Sequence, residues 1–243
     1  MISKAESKFI KSLKLKKFRT KERKFIVEGR KNILELLNSK LRVARLFGTR
    51  GFEDYLKQEN KSVDFEPIAP KELESLGSYV TNDFALAVVH IPESSADLEE
   101  EGPIILLDGI NDPGNLGTIA RTMDWFGFRN LICSSDCAEF YNPKTITSSM
   151  GSFGRINPYY TDLVEYVSGF PNHNKYGLVL GGELMGRRMI KNGIYILGSE
   201  SHGIRPELRA QLSHQITIKG KGDAESLNVA IAAGILFHKI SET

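Results

Sequence analysis

Cysteine is scarce in this chain: Cys133 and Cys137 are the only two among 243 residues. They sit close together with no Cys/His cluster nearby, too few ligands for a structural zinc and too few thiols for a disulfide framework. No metal is expected, and a reducing cytoplasm is the implied setting. No apolar run approaches the roughly 18 residues that cross a bilayer, so no membrane is expected. The start, MISKAESKFIKSLKLKK, lacks the apolar stretch and small-residue cleavage site of a signal peptide. There is no GxGxxG, which argues against a dinucleotide domain, and neither HExxH nor GxSxG occurs. The glycine spacing from Gly181 to Gly186 matches a phosphate loop, but Arg187 and Arg188 stand where Lys-Ser/Thr is required.

The composition is that of an ordinary globular protein, 41% hydrophobic and 26% charged. The net charge of +2 hides an asymmetry. Residues 1–50 hold 16 Lys and Arg against 4 Asp and Glu, a surplus of 12, so the remainder carries an excess of 10 acidic groups. A basic segment on an acidic body suits a polyanionic partner, although a solvated basic helix face would look the same.

The polar stretch PESSADLEEEG, residues 92–102, reads as a linker. It divides the chain into a domain at 1–95, a linker at 96–102 and a domain at 103–243. The first part alternates helices with short strands. Helices are expected at 4–15, 32–38, 52–58 and 71–76, and strands at 43–47, 63–66 and 84–91. In the second part, apolar strands at 104–108, 130–133, 178–180, 195–197 and 216–218 alternate with helices at 118–126 and 226–240. This is the pattern of an α/β fold with a parallel sheet. Open sheets of this kind bind ligands at the carboxyl ends of their strands.

Three loops occupy such positions. NDPGNLG offers a Pro113–Gly114 turn, Asn115 as a helix cap and Arg121 further along the helix. LGSESHGI carries Gly198, where backbone and ligand can approach closely, and Glu200, a carboxylate in need of a partner. SLN places Ser226 and Asn228 at the start of the last helix. Each loop alone is also what an ordinary capped turn looks like. His202 reads as a solvated loop residue rather than a base.

Together, in this order, the loops resemble the SpoU (TrmH-like) family of SPOUT methyltransferases. The resemblance runs from 104 to 240 through DPGNLGTIARTMDWFG, ILGSESHGI and ITIKGKGDAESLNVAIAAG, with SSMGSFGR as a connecting segment. The basic stretch running into FIVEG resembles, less specifically, the small RNA-recruiting domain of many members, with Arg19, Arg23 and Lys24 as its RNA-facing residues. The resemblance implies a trefoil-knot domain that binds S-adenosylmethionine, a homodimer, and methylation of a ribose 2′-hydroxyl in structured RNA; ribosomal and transfer RNA are both open, with ribosomal RNA favoured because the appended domain suggests recruitment to a structured target. It implies cofactor contacts at Gly181, Gly182, Gly198, Ile218 and Leu227. Arg121 is expected to clamp an RNA phosphate, because a neutral guanidine is too costly for a base. Asn115 would orient Arg121 or the ribose, Glu200 would balance the charge of Arg121, and Ser226 and Asn228 would bond substrate or support the loops. A base-directed enzyme of the same superfamily and a non-catalytic RNA-binding or ribosome-assembly protein are the alternatives.

Overall fold

The computed structural model describes residues 2–78, 81–93, 102–186 and 192–242. All of the expected linker except Gly102, together with Arg187 and Arg188, lies outside the described residues. Packing divides the chain into two units, residues 1–93 with 141–154, and residues 94–140 with 155–243.

In the first unit α1 (Lys4–Ser12) and α2 (Lys16–Glu22) precede β1 (Lys24–Glu28), α3 (Arg30–Leu37), β2 (Val43–Gly48), α4 (Arg50–Gln58), β3 (Glu66–Pro67), α5 (Pro70–Leu76) and β4 (Ala85–His90). The sheet order is β1-β4-β2-β3, with β4 antiparallel to both β1 and β2. Its core includes Ile10, Leu13, Ile26, Phe47, Leu73, Leu76 and Leu86. The helix expected at 4–15 ends at Ser12, and α2, for which no helix was expected, follows it at Lys16–Glu22. α1 stops so that Leu13 can bury completely, and the break leaves carbonyls without helical partners. Arg19 fills that need: one guanidinium nitrogen donates to Leu13 O at 2.8 Å and Lys14 O at 2.7 Å. Arg19 is only 1% exposed. It is a structural clamp, and its place among the RNA-facing residues is corrected accordingly. The strand expected at 63–66 is reduced to β3, which pairs in parallel with β2.

The second unit begins with β5 (Ile104–Asp108), α6 (Pro113–Trp125) and β6 (Asn130–Ser134). The chain then contributes α7 (Pro143–Ser149) to the first unit, where Phe25 packs against Tyr141 and Phe153 with ring centroids 4.5 and 6.3 Å apart. It continues with β7 (Tyr159–Thr161), α8 (Leu163–Ser168), β8 (Lys175–Leu184), β9 (Ile194–Gly198), α9 (Pro206–Arg209), β10 (His214–Thr217) and α10 (Val229–Ser241). The six strands are parallel throughout, in the order β10-β8-β9-β5-β6-β7. On one face Ile104, Leu106, Ile132, Ile194 and Ile196 pack under Leu163 and Val167 of α8 and Leu208 of α9. Alternate strand residues point to the other face, and α10 packs along α6 and against β9. The chain leaves β5 into α6 and leaves β9, its sheet neighbour, toward α9. A crevice between strands whose connections diverge in this way is where open α/β sheets bind ligands.

Candidate active site

The three loops meet at that crevice. α6 begins at Pro113, five residues before the expected start, because Asp112 rather than Asn115 is its cap: Asn115 N donates to Asp112 Oδ1 at 2.9 Å. Proline at the first helical position costs no hydrogen bond. Capping by Asp112 releases the Asn115 side chain, whose Nδ2 donates to Glu200 Oε1 at 2.6 Å. Asn228 caps α10 through Oδ1, which accepts from Ala230 N at 3.0 Å and Ile231 N at 3.4 Å. Its Nδ2 lies 3.1 Å from both Asn115 Oδ1 and Glu200 Oε1. One residue from each loop therefore joins a single network, in which both amides address the same oxygen of the Glu200 carboxylate. Bonds to an ionised acceptor are the stronger kind and fix its rotamer.

Arg121 and Ser226 are outside this network. Arg121 is exposed on α6, and its side chain has no hydrogen-bond or ion-pair partner among the described residues. It lies six residues after Asn115, about 240° around the helix, and so does not share that residue's face. The expected pairing of Glu200 with Arg121 is not made, because the two amides take the carboxylate instead. Ser226 is exposed in the segment before α10, which starts at Val229 rather than at 226.

Four of the five residues expected at a cofactor site lie on, or directly after, three adjacent strands, while Leu227 lies in the segment before α10. Gly181 and Gly182 fall within β8, Gly198 ends β9, and Ile218 follows β10. Gly198 is required by close approach, since a Cβ there would run into the backbone of Gly203. A Cβ on Gly182 would stand 2.6 Å from Gln215 O of β10. Exposed Leu180, Leu184 and Leu227 supply apolar surface in the same β8 and pre-α10 segments.

Asp108 and its partners are the feature that sequence reasoning missed. Asp108, 2% exposed, accepts from Arg205 N at 2.8 Å and Arg205 Nε at 2.6 Å. The same guanidinium reaches Asp136 at 3.1 and 3.2 Å. This tie fastens the loop after β9, which carries Glu200, to the end of β5, from which the Asn115 loop departs. Beneath it, Ile110 N donates to Cys137 Sγ at 3.2 Å, and Ser134 Oγ lies 3.3 Å away. Bonding from Cys133, then from Ser134 and the Ile110 and Gly109 amides, brings the Cys137 thiol down to about 7. Burial pushes Cys133 well up. The signal for the Asp108 tie was an aspartate ending an all-apolar strand, a charge that burial obliges to find a partner.

Residues 102–238 match the SpoU rRNA Methylase family, and residues 4–83 match the MRM3-like substrate binding domain. The 23S rRNA (guanosine(2553)-2′-O)-methyltransferase RlmP of Bacillus subtilis is 30% identical, over 95% of this chain and 93% of its own length. A solved structure from Porphyromonas gingivalis, assigned to the TrmH family of RNA methyltransferases, superposes with a TM-score of 0.87 and 34% identity. It covers 99% of this chain and 98% of that one. The SpoU methyltransferase AviRb of Streptomyces viridochromogenes, crystallised with its cofactor AdoMet, shares the fold, with a TM-score of 0.85 at 23% identity over 99% and 98% of the two chains. Among the described residues, no helix is long and apolar enough to cross a membrane.

Proposed function

Since the chain belongs to the SpoU rRNA Methylase family, we propose that it methylates a ribose 2′-hydroxyl of ribosomal RNA with S-adenosylmethionine as donor. The observation that carries this reading is the convergence of Asn115, Glu200 and Asn228, one from each loop, on a single carboxylate at the sheet's carboxyl edge. The residues present fit the cofactor. Gly182 and Gly198 let β8 and β9 lie tight against the backbone of Gln215 and Gly203, Gly181 turns at positive φ into open space, and exposed Leu227 with half-buried Ile218 adds apolar surface for a flat ring. When bound, S-adenosylmethionine supplies an electrophilic methyl group for in-line displacement.

The protein's own contribution is positioning. With Oε1 held by two amides, Glu200 has Oε2 left to accept from the ribose hydroxyl and to orient it. Asn115 and Asn228 hold that carboxylate in one rotamer. Arg121, with no partner on its own surface, is suited to an RNA phosphate. Ser226, exposed two residues before Asn228, is a further polar group for substrate.

The first unit recruits RNA in this reading. Lys4, Lys8, Lys11, Lys16, Lys17 and Lys21 are exposed on α1 and α2, and Arg23 and Lys24 follow them. A homodimer belongs to the same proposal. Trp125 is 85% exposed on α6, and Ile231 and Ile235 are 57% and 38% exposed on α10, the helix packed along it. That apolar face calls for cover, and Arg121, one turn before Trp125, lies at its margin. The knotted carboxyl-terminal passage and a cytoplasmic setting complete the proposal.

The test is Arg121→Ala, assayed with tritiated S-adenosylmethionine on ribosomal RNA. Transfer should fall at least a hundredfold while calorimetric cofactor affinity stays within a factor of three. Full activity would remove Arg121 from the site, and label in base methyl groups would redirect the chemistry from ribose to base.

A further inference from the structure

The loops that hold the Asn115–Glu200–Asn228 network also wall a cleft of about 350 Å³, within the range of small-ligand sites. Gly109 and Asn111 after β5, Asp136 after β6, Ser199 and His202 after β9, and Glu207 in the first turn of α9 line it, with the Asp108–Arg205 pair at its base. The walls converge: a Cβ built on Gly109 would lie 3.6 Å from Ser199 Cβ and 3.7 Å from Asp136 Oδ2.

We propose that this cleft receives the base of the nucleotide whose ribose is methylated, and that Asp136 selects guanine there by accepting from its N1–H and N2–H groups. The inference rests on the methyltransferase reading above. Its first support is continuity. Ser199 adjoins Glu200 in the chain, about 3.8 Å away Cα to Cα, so a ribose at Glu200 puts its base within reach of the cleft.

The second support is charge. Asp136 and Glu207 face the cleft, and its one guanidinium, that of Arg205, is already engaged by Asp108 and Asp136. Such a surface repels phosphate and offers hydrogen-bond acceptors to a neutral ring. Bonding from the Ser134 hydroxyl, with the Arg205 charge nearby, holds the Asp136 carboxyl below its ordinary range, so it is an acceptor at neutral pH. Arg205 fixes the carboxylate in place, yet the Asp136 side chain remains 60% exposed. An ionised carboxylate has about four acceptor positions, more than Arg205 and Ser134 occupy.

The third support is the base itself. Guanine alone among the four presents two adjacent N–H donors on its pairing edge, and these match the two oxygens of a carboxylate. Adenine and cytosine set a ring-nitrogen acceptor beside their amino group, which a carboxylate repels. Uracil offers one N–H between two carbonyls. His202 and Asn111, both exposed in the cleft wall, can donate to guanine O6.

The full-length protein, tritiated S-adenosylmethionine and unmodified ribosomal RNA transcripts test the proposal, with the product digested to nucleosides. Label is expected in 2′-O-methylguanosine. With the position mapped, inosine, which lacks the N2 amino group, should lower wild-type kcat/KM about tenfold and leave Asp136→Asn nearly indifferent. Asp136→Glu, which keeps the carboxylate, should retain discrimination. Label in any other nucleoside overturns guanine selection. An equal inosine penalty in wild type and Asp136→Asn, with cofactor affinity intact in both, overturns the role of Asp136. No label at all, together with no cofactor binding, overturns the methyltransferase reading itself.

Discussion

Replacing Asn228 by aspartate separates two jobs that one side chain performs. The first is capping. Asn228 Oδ1 accepts from Ala230 N and Ile231 N at 3.0 and 3.4 Å. Aspartate caps as well as asparagine, and its charge at a helix N-terminus adds about 0.3–1 kcal/mol. The second is donation from Nδ2 to Asn115 and Glu200, both at 3.1 Å. Aspartate cannot donate, and it sets a second carboxylate against Glu200. Two unit charges about 4 Å apart repel by about 1 kcal/mol in water and about 4 kcal/mol at the effective dielectric of a protein surface. Glu200 is exposed and escapes by turning toward solvent rather than by unfolding the unit. Asn228→Asp should therefore unfold in urea within about 0.5 kcal/mol of wild type, while Asn228→Ala, which loses the cap, should be less stable by about 1 kcal/mol. Activity should follow the opposite order. Initial rates of methyl transfer to ribosomal RNA should fall about tenfold in Asn228→Ala and about a hundredfold in Asn228→Asp, where Glu200 is driven away. Like charges raise carboxyl pKa values, so lowering the pH toward about 5 should restore part of the Asn228→Asp rate relative to wild type. If both properties fall in the same order, or if Asn228→Asp is fully active, the carboxylate network does not position the reaction.

Three further outcomes are expected. Arg205→Ala leaves the buried Asp108 carboxylate with only the Arg205 backbone bond. The full cost of breaking a buried pair is roughly 3–5 kcal/mol; partial exposure of Arg205 and the surviving 2.8 Å bond reduce it to about 2 kcal/mol in urea unfolding, and an unchanged midpoint would refute the tie. Thiolate absorbance of Cys137 should titrate near 7 rather than 9. A depressed folded value means that stability grows as pH rises from about 7 to 9 and is lost as pH falls through 7, a slope that Cys137→Ser should remove. Replacing Lys4, Lys8 and Lys11 together by Gln should flatten the salt dependence of ribosomal RNA binding by about 0.7–0.9 log units for each phosphate no longer neutralised; an unchanged slope would leave that face of α1 without a role in RNA binding.

The parallel sheet was legible because its strands are continuous apolar runs: β5 lies where the IILLD run places it, at Ile104–Asp108. Strand length was less legible where pairing decides it. β8 extends to Leu184 because β10 lies beside it as far as Leu184, beyond its apolar centre. Caps were misassigned where two polar residues compete within one turn. Asp112 and Asn115 can each begin a helix, and Pro113 decides for Asp112 because its fixed φ suits the first helical position. Charge was the least legible property. Arg19, in a basic run, reads as surface, yet the break between α1 and α2 turns it inward to bare carbonyls. Arg121 reads the same way and stays exposed, because α6 continues through it with every backbone group satisfied. The difference between these two arginines lies in the backbone around them. A basic residue whose donors an interrupted helix claims is not available to RNA, which excludes Arg19 from the expected set of Arg19, Arg23 and Lys24, while the exposed lysines of α1 and α2 join Arg23 and Lys24 in the proposed one.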